Sequence, residues 1–397
     1  MGSYCRADEP TIYRTMHIVI ATGIFPPEIG GPATYAQFLL DYEKDIGIEP
    51  VIVTYGKKRT DQDPRVRVIS HSLPKGIRHI AYRKELIDQL RFSQSRIIYA
   101  VDSSLGVVSV ARSAAAATGA KLLVRVTGDY AWEQSRQRFG VQEGIDGFQR
   151  RRYGFIVEKF RSSTYNAVRS ADWVIAPSEY LKKLTIGWGV DSQRITVIPN
   201  PVTVYPLSVN ALDADRKKLE ITGKIILSAG RFVPWKGFRE LIQIFPSIRS
   251  EFKNATLVLI GDGPERHSLE SEAEKSGVRE AIRFTGSLSK IQLIEWLSAT
   301  DLFVLNSTYE GLSHQLIEAV GGFGLSAVVT DAGGNAEVQA EFPDRITLVR
   351  PGDKTELIKT ILAILKNPAA RVRPKQGAGK FSLGAVAREL QRFFSTL

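Results

Sequence analysis

Among its 397 residues the chain carries a single cysteine, Cys5. That excludes an internal disulfide and a cysteine-based metal site, and it suits the reducing cytosol. No apolar run approaches the roughly 20 residues that a membrane-spanning helix requires. The leading segment "MGSYCRADEPTIYRT" lacks the apolar core of a signal peptide. Myristoylation does not fit either, since Arg6 stands where Ser or Thr is wanted. Residues 1–15 are therefore expected to be an extension ahead of "MHIVIATG". Histidine is scarce as well, and His17, His71, His79 and His267 have no partners at metal-ligand spacing. No strand is followed by Gly-x-Gly-x-x-Gly and a later ribose-binding acid, which counts against a nicotinamide-dependent oxidoreductase. Low-complexity tracts and short-period repeats are missing too.

Acidic residues are in deficit: 42 Asp and Glu stand against 53 Lys and Arg, a net charge of +11. An acidic partner is implied. Nucleic acid is not expected, because no helix-turn-helix, zinc-finger spacing or RNA-recognition signature accompanies the charge. Part of the excess lies in "SRQRFGVQEGIDGFQRRRYGFIVEKFR", where Arg150, Arg151 and Arg152 precede Tyr153, Phe155, Ile156 and Phe160. Two readings stay open there: an amphipathic core helix with a solvated basic face, or contact with an anionic membrane or phosphorylated acceptor.

What is present is an alternation of short apolar runs with amphipathic segments. The first half offers "HIVIAT", "PVIVTY", "RVRVIS", "RIIYAV", "KLLVRV" and "DWVIAP"; the second offers "KIILSAG", "ATLVLIG", "AIRFTG", "DLFVLN", "SAVVTD" and "ITLVR". Rich in β-branched residues, these read as parallel strands buried on both faces. Two doubly wound α/β domains with parallel sheets follow, at 16–200 and 223–380. A proline-rich linker is expected at 201–222, and a final helix at 381–397 is expected to pack back on the first domain.

In such sheets ligands bind beyond the carboxyl ends of the strands. Three strand-to-helix turns are notable. In "IFPPEIGGPATYAQFLL", Gly30 and Gly31 precede a helix whose Tyr35, Phe38, Leu39 and Tyr42 form a stripe. The glycines serve either close approach of an anion or sugar, or a tight turn of positive φ. In "ILSAGRFVPWKGFRELIQIF", Arg231 and Lys236 bracket the loop and are suited to phosphate. In "NSTYEGLSHQLIEAVG", Glu310 ends a polar loop, Ser313 is a plausible N-cap, and Leu316, Ile317 and Val320 face the core. Glu318 then faces a cleft or water. Amides of Gly311, Leu312 and Ser313 suit phosphate and the carboxylates suit sugar hydroxyls, a combination that describes a nucleotide-sugar site.

Taken in order, the Gly-Gly turn, "GRFVPWKGF", "LIGDGPE", "FTGSL", "EGLSHQLIE" and "TDAGGNAEV" resemble a retaining glycosyltransferase of family 4 with the GT-B fold, two Rossmann-like domains facing a central cleft. The resemblance covers residues 16–397 and is more specific in the second half. It implies that Arg231 and Lys236 neutralise a donor diphosphate. Glu310 and the amides of Gly311, Leu312 and Ser313 would hold the donor sugar and distal phosphate, and Glu318 the ribose hydroxyls. Thr285 and Gly286 of "FTGSL" would border the base, while Gly30 and Gly31 approach the diphosphate from the other domain. It also implies front-face substitution without a cofactor or a protein nucleophile. The donor would be a UDP-, GDP- or other NDP-sugar, and the acceptor a glycan, a polyprenyl- or lipid-linked sugar, or a small molecule. The expected location is cytoplasmic, with peripheral attachment at the inner membrane face.

Two departures from the family pattern are visible. A histidine common after the strand equivalent to "KLLVRV" is replaced by "TGDYAWEQ". Asp129 there is either a donor or acceptor contact or a local cap, and Tyr35 is a second acceptor-contact candidate. The join "EAVGGFGLSAVVTD" carries an extra residue, with Ser326 where relatives have proline. A shift reaching Glu318 would put activity in question and favour a non-catalytic protein of the same fold that binds a sugar nucleotide or a partner protein. His314 either contacts phosphate or fills the first helical turn. "DQD" at 61–63 and "DAD" at 213–215 read as solvated or capping carboxylates, so no metal is expected.

Overall fold

The computed structural model describes residues 15–28, 30–57, 63–204, 215–369 and 379–397. Cys5, residues 61–62 of "DQD", residues 213–214 of "DAD" and 205–214 of the expected linker lie outside them. Asp63 is taken up by Arg65, whose Nη2 is 2.8 Å from Oδ2.

Among the described residues, thirteen strands form two sheets in which every described pairing is parallel. The first contains β1 (Met16–Ala21), β2 (Ile48–Gly56), β3 (Val66–Ser70), β4 (Ile97–Ala100), β5 (Lys121–Arg125), β6 (Trp173–Ala176) and β7 (Ile195–Val197). Their order is β3-β2-β1-β4-β5-β6-β7. The second contains β8 (Ile225–Ala229), β9 (Thr256–Ile260), β10 (Ile282–Gly286), β11 (Leu302–Leu305), β12 (Ser326–Thr330) and β13 (Ile346–Val349), ordered β10-β9-β8-β11-β12-β13. Both orders reverse direction beside the first strand of their half, the doubly wound pattern. All twelve predicted runs are strands; β7, three residues long, is the addition.

Two compact units are distinguished. One comprises 1–124, 170–172 and 387–397; the other comprises 125–169 and 173–386. This division differs from a boundary at 201–222. Segment 125–169 goes with the second unit because its side chains pack there: the Trp132 ring lies 5.1 Å from Trp235 and 4.9 Å from Tyr309. In the first unit, Phe394 of the last helix (Leu383–Ser395) packs edge-on against Tyr99 of β4 at 6.1 Å.

The six-stranded sheet is apolar on both faces because a strand alternates its side chains. On β8, Ile225 and Leu227 join Phe303, Leu316, Val320 and Phe323. Ile226 points the other way, to Phe238, Leu241, Phe245 and Leu357. Helix Phe238–Glu251 thus covers one face, and the segment after Ser313 covers the other.

That segment is not a uniform helix. Residues His314–Ile317 are α-helical, and Glu318–Gly322 form a π-turn, with the Phe323 amide donating to the Glu318 carbonyl at 3.1 Å. A π-turn absorbs one extra residue in an α-helix. The insertion therefore begins at Glu318 and leaves the turn from Ser313 to Ile317 undisturbed.

Candidate functional site

In the second unit the loop after β11 begins with Asn306 and Ser307 and ends at Ser313, whose Oγ accepts from the Leu316 amide at 3.3 Å as predicted for the N-cap. Glu310 is buried at 6% exposure. Its Oε1 accepts from Lys236 Nζ at 2.7 Å and from Ser307 Oγ at 2.6 Å. Oε2 has no bond among the described residues. Lys236 closes a short 3-10 turn, Pro234–Lys236, next to Gly237, and the Thr308 amide donates to the Trp235 carbonyl at 2.8 Å. The structure thus brings Lys236 and Glu310 together. Arg231 lies at the start of the same loop, exposed and with no ion pair among the described residues.

The backbone of Glu310–Ser313 has a one-sided hydrogen-bond pattern. The Glu310 carbonyl accepts from the Gly334 amide at 2.9 Å. The Gly311 carbonyl accepts from Ser178 Oγ at 2.7 Å, and the Leu312 carbonyl from Asn200 Nδ2 at 3.1 Å. In a trans peptide the N–H lies opposite the C=O of the same plane. Holding those three carbonyls therefore turns the N–H groups of Gly311, Leu312 and Ser313 the other way. These three have no acceptor among the described residues, although all three residues are buried. Buried N–H groups without partners are rare, and a row of them is an anion-binding arrangement.

Two glycines permit this. Gly333 has φ +61°, and a Cβ on it would sit 2.0 Å from the Glu310 oxygen; a Cβ on Gly334 would sit 2.4 Å from the Gly311 oxygen. No other residue type fits against the loop so closely.

Other predicted residues fall as follows. Glu318 is half-buried at the start of the π-turn, turned away from the core that Leu316, Ile317 and Val320 enter. Thr285 and Gly286 end β10, where the Gly261 amide donates to the Gly286 carbonyl at 3.0 Å, and Gly286 has φ +73°. His314 is half-buried, and its pKa is pushed down to about 4, first by burial and then by Arg125 and Lys236. The imidazole is therefore neutral at physiological pH.

In the first unit, helix Gly31–Asp41 starts at Gly31, with Gly30 at φ 165°, an extended conformation. Neither glycine has the left-handed φ that the tight-turn reading required, so that reading is corrected. Tyr35 is 1% exposed, and its Oη lies 3.2 Å from Tyr99 Oη. It is a core residue, which corrects its candidacy as an acceptor contact.

Asp129 takes the capping role. Oδ1 accepts from the Trp132 amide at 3.0 Å, while Oδ2 accepts from Gln149 Nε2 and Tyr165 Oη, each at 2.8 Å. The carboxylate is fully buried and both oxygens are engaged inside the protein, so neither is presented to a sugar, and the contact reading is corrected here too. Burial raises its pKa against these hydrogen bonds. In the basic segment, helix Phe155–Arg169 buries Val157, Thr164, Ala167 and Val168, as the amphipathic-helix reading has it, while Phe155 is 79% and Ile156 65% exposed beside exposed Arg150, Arg151 and Arg152. These two side chains are not core. Sequence reasoning missed Ser178 and Asn200, which hold the loop from positions remote in the chain, and the parts played within the loop by Ser307, whose Oγ donates to Glu310, and Tyr309, whose Oη accepts from the Asp129 amide at 3.2 Å.

Among the described residues no group of three His, Cys, Asp or Glu is placed to hold a metal ion. No helix among them is long and apolar enough to cross a membrane.

Comparison with known proteins gives a concordant result. Residues 29–204 match the model of Glycosyltransferase Family 4, and residues 212–381 that of Glycosyl transferases group 1. The lipopolysaccharide core biosynthesis glycosyltransferase LpsD of Rhizobium meliloti is 33% identical over 208 residues, 52% of this chain and 56% of that protein. The 2-deoxystreptamine glucosyltransferase of Streptomyces kanamyceticus is 25% identical over 186 residues, 46% of this chain and 48% of that one. The chain thus spans about half the length of the curated relatives it matches. Among solved structures, Anabaena HepE in complex with UDP and glucose superposes with a TM-score of 0.74 at 17% identity, covering 96% of this chain and all (100%) of that one. WaaG, a glycosyltransferase involved in lipopolysaccharide biosynthesis, gives 0.64 at 16% identity, covering 96% of each chain. At those identities the likeness is one of fold.

Proposed function

The chain belongs to the family 4 glycosyltransferases of GT-B fold, and from that premise we propose that it transfers a sugar from a nucleoside-diphosphate sugar to an acceptor hydroxyl with retention. The observation that carries this reading is the row of unengaged N–H groups at Gly311, Leu312 and Ser313, beside the Lys236–Glu310 pair. Phosphate oxygens accept from such amides, and the free Oε2 of Glu310 accepts from a sugar hydroxyl. Arg231 supplies the unpaired positive charge, Glu318 the ribose contact, and Thr285 and Gly286 the edge of the base site.

In this mechanism the bond from the anomeric carbon to the phosphate oxygen breaks as the acceptor oxygen bonds to the same face of that carbon. The acceptor proton passes to the departing phosphate. No protein nucleophile takes part, and positioning with charge stabilisation supplies the rate. UDP-sugars are the first donors to test, because HepE is known bound to UDP and UDP-glucose. Incubation with UDP-, GDP- and dTDP-sugars should give transfer or slow hydrolysis; saturable binding without turnover under any acceptor would sink the enzyme reading. Turnover should also persist in excess chelator, and loss restored by manganese would overturn a metal-independent mechanism.

Exposed Phe155 and Ile156 beside three arginines support a peripheral site on an anionic membrane, where an amphiphilic glycan acceptor resides. Co-sedimentation with phosphatidylglycerol vesicles should exceed that with phosphatidylcholine vesicles and fall on Phe155→Ser with Ile156→Ser. Equal sedimentation of both forms would remove the surface assignment.

A further inference from the structure

We infer that Asn200, with Ser178, is a positioning residue for phosphate recognition, acting by fixing the peptide planes at Leu312–Ser313 and Gly311–Leu312. The inference rests on the donor-site reading above and adds the residues that orient it. Asn200 is 4% exposed and Ser178 fully buried. Their targets are the Leu312 and Gly311 carbonyls, and the opposite ends of those two peptide planes are the Ser313 and Leu312 N–H groups.

The orientation of the Asn200 amide is set by chemistry. Arg125 Nη2 donates to Asn200 Oδ1 at 2.8 Å and to the Ile198 carbonyl at 3.2 Å. A guanidinium only donates, so the amide oxygen must face Arg125, which turns the NH2 group to the Leu312 carbonyl. Arg125 is itself fully buried on β5. A buried guanidinium, a buried amide and a peptide plane thus form one chain of donors and acceptors ending at the Ser313 N–H. Loss of the Asn200 donor frees that plane to rotate, and the N–H is no longer held toward an anion.

Asparagine is distinguished from its isostere here. Asn200→Asp keeps an oxygen for Arg125 and makes that contact ionic, but it sets an acceptor against the Leu312 carbonyl. The variant should therefore keep its fold while losing the tether, which a merely structural role would not predict.

The test measures affinities of UDP, GDP, dTDP and ADP, and of their monophosphates, by calorimetry. In the wild type the preferred diphosphate should bind more tightly than its monophosphate. In Asn200→Asp that preference should fall about ten-fold, the scale of one charge-assisted hydrogen bond. Monophosphate affinity should stay near wild type, and the melting temperature should fall only by the small amount that one lost buried hydrogen bond costs. An unchanged diphosphate-to-monophosphate ratio in a folded variant overturns the inference while leaving the donor site standing. Failure of the wild type to bind any of the four diphosphates overturns the donor-site reading itself, and the inference with it. Should Asn200→Asp not fold, Ser178→Ala, which releases the Gly311 carbonyl, takes its place: a reduced ratio supports the inference and an unchanged one overturns it.

Discussion

Lys236 Nζ lies 2.7 Å from Oε1 of Glu310, and both side chains are largely withdrawn from solvent, at 15% and 7% exposure. Each therefore depends on the other for charge compensation. Breaking one partner of such a pair typically costs about 3–5 kcal/mol when it is fully buried, and less where solvent reaches it. Lys236→Ala and Glu310→Gln should each lower stability, and the double variant should lose less than the sum, with a coupling of about 0.5–3 kcal/mol. Denaturant unfolding of the four proteins gives the value. Glu310→Gln should also abolish most transfer; unaltered transfer would remove Glu310 from the site.

Gly333→Ala should destabilise the protein by more than about 2 kcal/mol, since a left-handed backbone and a collision coincide there. The colliding atom is the Glu310 carbonyl oxygen, 2.0 Å from the added carbon. Guanidinium midpoints measure this, and a loss below about 0.5 kcal/mol would mean that the loop yields easily.

Gly31→Val should behave oppositely. Gly31 is the first helical residue and has no left-handed backbone to lose. Transfer should therefore fall far more than the melting temperature. Parallel loss of both would assign this glycine to the fold alone.

His314 carries a pH prediction. Its folded pKa of about 4 lies below the ordinary 6.5, so the unfolded chain binds the proton more readily. Its contribution to stability is present above pH 6.5 and is lost as pH falls toward 4. Wild type should lose more stability than His314→Gln between about pH 7 and about pH 4.5, as followed by thermal unfolding. Equal losses would mean that the ring titrates normally.

Tyr35→Phe should cost about 1 kcal/mol, the usual value of a buried hydroxyl hydrogen bond, and leave the acceptor KM unchanged. A raised acceptor KM in steady-state kinetics would return Tyr35 to the binding surface.

Much of the fold was legible because parallel strands covered on both faces must be apolar throughout, and "ATLVLIG" or "DLFVLN" has no other soluble use. The three-residue β7 was not, since "ITV" beside "PNP" is too short to show a period. Ser313 was legible as a cap because the bond spans three residues. What orients the loop was hidden. Ser178 reaches Gly311 across 133 positions and Asn200 reaches Leu312 across 112, and no local pattern marks either. Asp129 and Tyr35 show the converse: a carboxylate just after a strand and a hydroxyl on a helix stripe were both candidates for a ligand contact, but their oxygens are engaged within the protein.

The π-turn at Glu318–Gly322 makes the length of one connection a free variable. Its surplus residue is stored as a wider coil on the β12 side, so variants of the chain that are one residue shorter there can close as an ordinary α-turn. The register from Glu310 to Glu318 survives either spelling. Loss of that one surplus residue is the length change this connection can take, because Ala319, Val320 and Phe323 are core residues, and alignments across the stretch are better anchored on the two glutamates.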